Sequence, residues 1–71
     1  MSKALIVPMS IVASDGTELS APADIVLARV WAAHEVDLKD GPGAWEALPA
    51  VERMQHQGAA LTELRRAATA G

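Results

Sequence analysis

The chain contains no cysteine, no phenylalanine and no tyrosine, and only two tryptophans in 71 residues. Without cysteine, disulfides, thiolate metal sites and cysteine nucleophiles are excluded. Without Phe or Tyr, a core has to come from Leu, Ile, Val, three Met and two Trp. One small domain built from these has a thin core, so stability that leans on a homodimer or on a larger partner is expected. No apolar run reaches the ~20 residues that span a bilayer. Basic residues are also few: six Lys and Arg stand against nine Asp and Glu, a net charge of −3. Only Arg65 and Arg66 adjoin, a poor electrostatic footprint for nucleic acid. The expected partner is therefore another protein, with neither nucleic acid nor a membrane bound directly. A basic surface that itself binds nucleic acid fits such an acidic chain.

What is present argues for an ordered domain. A hydrophobic fraction of 51% is incompatible with a disordered acidic tail. Residues 4–13 are almost wholly apolar and admit two readings. One is a short signal-peptide core after Lys3, although Pro8 interrupts it and Ile11 is bulky for a cleavage site. The other is β-structure, since Ile6, Val7, Ile11 and Val12 are β-branched and Pro8 suits a strand edge or a break. Asp15-Gly16 is a strong hairpin signal, with a short second strand over 17–19. An extended arm over residues 1–19 explains the same residues.

Residues 20–38 read as a first helix. Ser20 can cap it, Pro22 fits the first turn and Asp24 suits the positive end of the dipole. Val26, Leu27, Val30, Trp31 and His34 fall on one side with Ala33, leaving Arg29, Glu35 and Asp37 for solvent. Gly41-Pro42-Gly43 stops the helix. A second helix spans 44–69, with a short leading turn over 44–48 and Pro49 at a helix start. Its seam is Val51, Met54, Gly58, Leu61, Leu64 and Ala68, and Gly58 with Ala59 and Ala60 marks close approach of another backbone. Residues 67–71 read as a fraying tail. The fold class is α+β, mainly α: an N-terminal arm or short β-hairpin packed on two antiparallel helices in one domain, 1–71.

Signatures of chemistry are missing. His34-Glu35 opens an H-E-x-x-H motif, but Leu38 stands where its second histidine belongs. His34 and His56, with Glu35, Asp37 or Asp40, could assemble a weak metal site or an acid/base pair, although a half-buried, hydrogen-bonded histidine is the favoured reading of His34. Asp37 and Asp40 lack the ligand series of a calcium loop, and neither a serine-nucleophile context nor a phosphate loop occurs. No catalytic residue, metal or cofactor is expected. Trp31 and Trp45 read as core filler, with an interface role as the alternative.

Ala28-Arg29-Val30, His34-Glu35, the Gly/Pro loop, Trp45-Glu46-x-Leu48-Pro49 and Arg53 together resemble small helical proteins of bacteriophages and high-GC bacteria. Some of these are similar to the short helical repeat of ryanodine receptors. The resemblance covers residues 25–64 and implies a helix pair without an assigned reaction. By analogy it suggests a phage-type inhibitor of a host defence complex, anti-CRISPR-like, acting in the cytoplasm. The expected partner-binding residues are Glu35, Asp37, Asp40, Glu46 and Glu52, with charge reversal at Asp37 and Asp40 abolishing capture and leaving the fold intact. The rival from another class is a structural homo-oligomer joined through residues 4–13 and the Gly58 seam.

Overall fold

The computed structural model describes residues 9–70, with the side chains of 69 and 70 left aside. The chain runs β1 (Met9–Val12), β2 (Glu18–Ala21), α1 (Asp24–Asp40), α2 (Ala44–Ala47) and α3 (Ala50–Ala70). This is the expected mainly helical α+β fold, with a two-stranded antiparallel hairpin packed on helices. Of residues 4–13, the part within the described residues is β1; Pro8 and the rest lie outside them.

The hairpin register pairs Met9 with Ala21, Ser10 with Ser20, Ile11 with Leu19 and Val12 with Glu18. Because side chains alternate across a strand, Met9, Ile11, Leu19 and Ala21 share the face turned to the helices. Val12 and Glu18 face outward. The turn closes with Ala13 N–H donating to Thr17 O at 2.8 Å and Gly16 N–H to Ala13 O at 2.9 Å. Gly16 sits at φ +90, a conformation that glycine adopts without steric cost.

Strand β2 is longer than its sequence suggests, because Ser20 is a ladder residue rather than a cap. Pro22 keeps the preceding residue extended, so helix formation waits until Ala23, the N-cap, which has no side-chain cap bond. Asp24 lies in the first turn, and Arg65 Nε donates to its Oδ2 at 3.1 Å, tying the start of α1 to α3. At the other end α1 continues through Asp40, past the expected stop at 38. Gly41, at φ +107, ends it by donating its N–H to Asp37 O at 2.9 Å. The stretch read as a leading turn plus helix is two helices, separated where Leu48 becomes extended before Pro49. α3 then runs to Ala70, so the residues read as a tail, 67–70, lie within the bounds of the helix.

Two clusters form the core. Ala21, Leu27, Ala28 and Leu64 gather the hairpin, α1 and α3; Ala32, Val36 and Trp45 gather α1 and α2, with Leu48 and Ala60 alongside. The inward faces differ from the apolar stripes expected from sequence. Val26 and Val30 are exposed, while Ala28 and Ala32 are buried. On α3, Val51 and Met54 are 61% and 69% exposed, and the inward positions are Arg53, Gln57, Ala60, Leu61 and Leu64. Small residues let two helix backbones approach, so Ala28 and Ala32 occupy the seam while Val26 and Val30 stay outside.

Gly58 does not mark a close approach among the described residues. A Cβ built there meets nothing within 4 Å. Gly58→Ala should therefore stabilise the domain by about 1 kcal/mol through helix propensity, read as a higher urea midpoint at unchanged slope. A stabilised monomer together with weakened self-association would instead place Gly58 at an interface between copies.

Candidate partner-binding groove

The centre of the site is Glu35, which the fold uses as an anchor. Its Oε2 accepts Ser14 N–H at 2.8 Å and Trp31 Nε1–H at 3.0 Å, and its Oε1 accepts Ser14 Oγ–H at 2.5 Å. Beside it, Nε2–H of His34 donates to Asp15 Oδ1 at 3.2 Å, while Thr17 N–H and Oγ1–H donate to the same carboxylate at 3.1 and 3.0 Å. The hairpin turn is thus latched to α1 by two carboxylates. The Ser14 hydroxyl and N–H hold the Glu35 carboxyl below its ordinary value of 4.5. The Thr17 N–H, and then His34, do the same for Asp15 from 3.8.

A group whose folded value is depressed contributes stability that is complete above its unfolded value and is lost as pH falls through the folded one. The latch is therefore intact at neutral pH and opens as pH falls through the two lowered folded values, below the ordinary 4.5 of Glu35 and 3.8 of Asp15. The amide of Ser14 should then lose its hydrogen-bonded NMR shift and its exchange protection, while α1 and α3 persist. Glu35→Ala should cost about 1 kcal/mol at neutral pH, the modest value of solvent-screened bonds, and should remove this acid transition. An acid transition unchanged in Glu35→Ala would rule the latch out.

Between α1 and α3 lies a groove of about 290 Å³. Trp31, Ala32, Val36, Ala59 and Ala60 give it an apolar lining; Glu35, Asp40 and Glu63 set three carboxylates around it against Lys39 and His56. Ala59 and Ala60 leave space where larger side chains would fill the crevice. α3 supplies His56, Ala59, Ala60 and Glu63, the i, i+3, i+4, i+7 spacing of one helix face.

The five expected binding residues do not converge on this groove. Glu35 and Asp40 border it. Asp37 and Glu46 border a different, wider recess of about 390 Å³, over the exposed Val26 and Val30. Glu52 is exposed on the first turn of α3 and lines neither. Asp37 also has a structural task, since its Oδ1 accepts Trp45 N–H at 2.9 Å and fixes α2 on α1. Charge reversal at Asp37 would break that bond, so its effect on capture would be mixed with a loosened α2. Sequence reasoning missed Glu63 and His56 as groove residues, although their spacing from Ala59 and Ala60 was available.

The histidines serve other contacts. His34 faces Asp15, and the ring of His56 meets Trp45 edge-on with centroids 6.4 Å apart. Among the described residues no three His, Asp or Glu side chains converge as metal ligands, and no helix is long and apolar enough to cross a membrane. The chain matches no protein-family model, no curated protein and no solved structure.

Proposed function

We propose that the protein is a non-enzymatic binding module that captures a basic, amphipathic segment of another protein in the α1–α3 groove. The observation that carries this reading is the groove's make-up: an apolar lining of Trp31, Val36 and alanines, bordered by Glu35, Asp40 and Glu63. Apolar contact supplies affinity in such a site, and the carboxylates select for Lys or Arg and speed encounter. Basic segments that bind nucleic acid carry this chemistry, so occupation of the groove would block them. The module would then act as an inhibitor of a nucleic-acid-handling complex in the cytoplasm, as the resemblance to small phage proteins suggests.

The test is titration with a basic amphipathic helical peptide. The wild-type chain should bind it, and high salt should weaken binding because the rim charges are solvated. Reversal of both Asp40 and Glu63 to Lys should reduce affinity at least tenfold with the fold retained and thermal stability only slightly lowered, since both side chains are exposed and Glu63 gives up one surface pair with Arg66. Equal affinity in the reversed variant would sink the reading.

Self-association is a second reading, favoured by the apolar outer face of α1, where Val26 and Val30 are exposed beside Leu19 and Trp45. A concentration-dependent dimer in sedimentation, lost in Val30→Glu, would support it; a monomer throughout would remove it.

A further inference from the structure

We propose that the recess between α1 and the start of α3 binds a small phosphate-type oxyanion through Arg29 and Arg53. The recess, about 180 Å³, is lined by Arg29, Trp45, Ala50, Arg53, Met54 and Gln57. It receives two cations and no carboxylate, in a chain with nine Asp and Glu against six Lys and Arg. The contrast within α3 is direct. Arg65 pairs with Asp24 and Arg66 with Glu63, whereas neither the Arg29 nor the Arg53 side chain forms an ion pair or hydrogen bond with any described residue, although Arg29 also lines the adjoining recess that Asp37 and Glu46 border.

Arg53 carries the argument furthest, because its Nε is sealed from solvent and has no hydrogen-bond partner among the described residues. A charged donor removed from water without an acceptor is costly, and two guanidiniums at one recess repel each other. A single oxyanion relieves the repulsion. It gives the outer N–H groups of the Arg53 guanidinium a charged acceptor and sets a negative charge between two positive ones. Planar guanidinium forks suit the oxygens of a phosphate, and two of them match a dianion. The first turn of α3, at Ala50, adds the positive end of a 21-residue helix.

Size and charge exclude larger anions. Pockets that enclose drug-sized ligands run to about 300 Å³ or more, so this recess holds the oxyanion itself and little beyond it. Nucleic acid needs a row of phosphate contacts, and two arginines do not provide one. The site is independent of the acid-bordered groove, since the two share no lining residue.

The experiment is amide- and indole-resolved NMR of the full chain. Inorganic phosphate is titrated at constant ionic strength, with chloride and acetate as separate arms. Phosphate should produce saturating shifts at Ala50, the Arg53 side chain and the Trp45 indole. Chloride should produce none that saturate. Arg53→Gln and Arg29→Gln should each weaken phosphate binding about tenfold or more, the loss expected for a charge-assisted pair. Arg53→Lys, which keeps the charge and loses the fork, should fall between. Thermal unfolding verifies that each variant folds, and Arg29→Gln, whose side chain is exposed, carries the test if Arg53→Gln does not. Linear shifts equal to those with chloride would overturn the proposal. So would saturating shifts unchanged in the variants that fold, or acetate binding as tightly as phosphate.

Discussion

Trp45→Ala is expected to lower the unfolding free energy by about 3–5 kcal/mol, the range for deleting a large buried aromatic. The residue is 5% exposed and packs with Ala32 and Val36, while Leu48, Ala44 and Ala60 close around it. It is also the only large side chain that the four-residue α2 contributes to a core cluster. A helix that short has no stability of its own. Removing the indole therefore frees the whole 41–49 connection as well as leaving a cavity. Domains of this size have total stabilities of about 4–10 kcal/mol, so the variant should lose a large share of its stability. Circular dichroism in urea would show a midpoint well below that of the wild-type chain. Trp45→Phe, which keeps part of the volume, should retain a cooperative transition. A loss below about 1 kcal/mol in Trp45→Ala would mean that α2 is not held by this packing.

The second large effect is at Leu27, the largest fully buried side chain among the described residues, at 0% exposure. It stands in the cluster with Ala21, Ala28 and Leu64, against which Met9, Ile11 and Leu19 of the hairpin pack. Leu27→Ala should cost about 2–5 kcal/mol, from lost transfer energy and the cavity left behind. The damage should be directional. A two-stranded hairpin is not stable alone, so amide protection in β1 and β2 should fall before protection in the middle of α1. Leu27→Met, which preserves volume, should cost less than about 1.5 kcal/mol. Uniform loss of protection across hairpin and helices would show one cooperative unit instead of a hairpin docked through Leu27.

The boundaries were legible in the sequence where local chemistry dictates them. Asp15-Gly16 makes the hairpin turn, Gly41 through Gly43 ends α1, and Pro49 follows the break at Leu48. Faces were harder to read. Large apolar side chains suggest a core, yet Val26, Val30, Val51 and Met54 point outward while Ala28 and Ala32 are buried. Hydropathy counts alanine as weak, but a close helix–helix seam selects small residues. Ser20 looked like a cap because the pairing that claims it, with Ser10, depends on strand register.

The candidate site followed the same division. Its acidic character was visible in Glu35 and Asp40, which do border the groove. Its internal bonds were not, because Glu35 reaches Ser14 across 21 positions and Asp37 reaches Trp45 across eight. Contacts at that separation follow from the fold and leave no local pattern. Glu63 is the opposite case: the spacing was there, but the apolar seam had been assigned to a different face of α3.

The central claim is that the groove between α1 and α3 is where a basic partner segment docks, and residue-resolved NMR during the peptide titration tests it most directly. The account predicts shifts at the Trp31 indole and at Ala32, Val36, His56, Ala59 and Ala60, with Val26 and Val30 silent. Shifts centred on Val26, Val30 and Leu19, with the Trp31 indole unmoved, would contradict it.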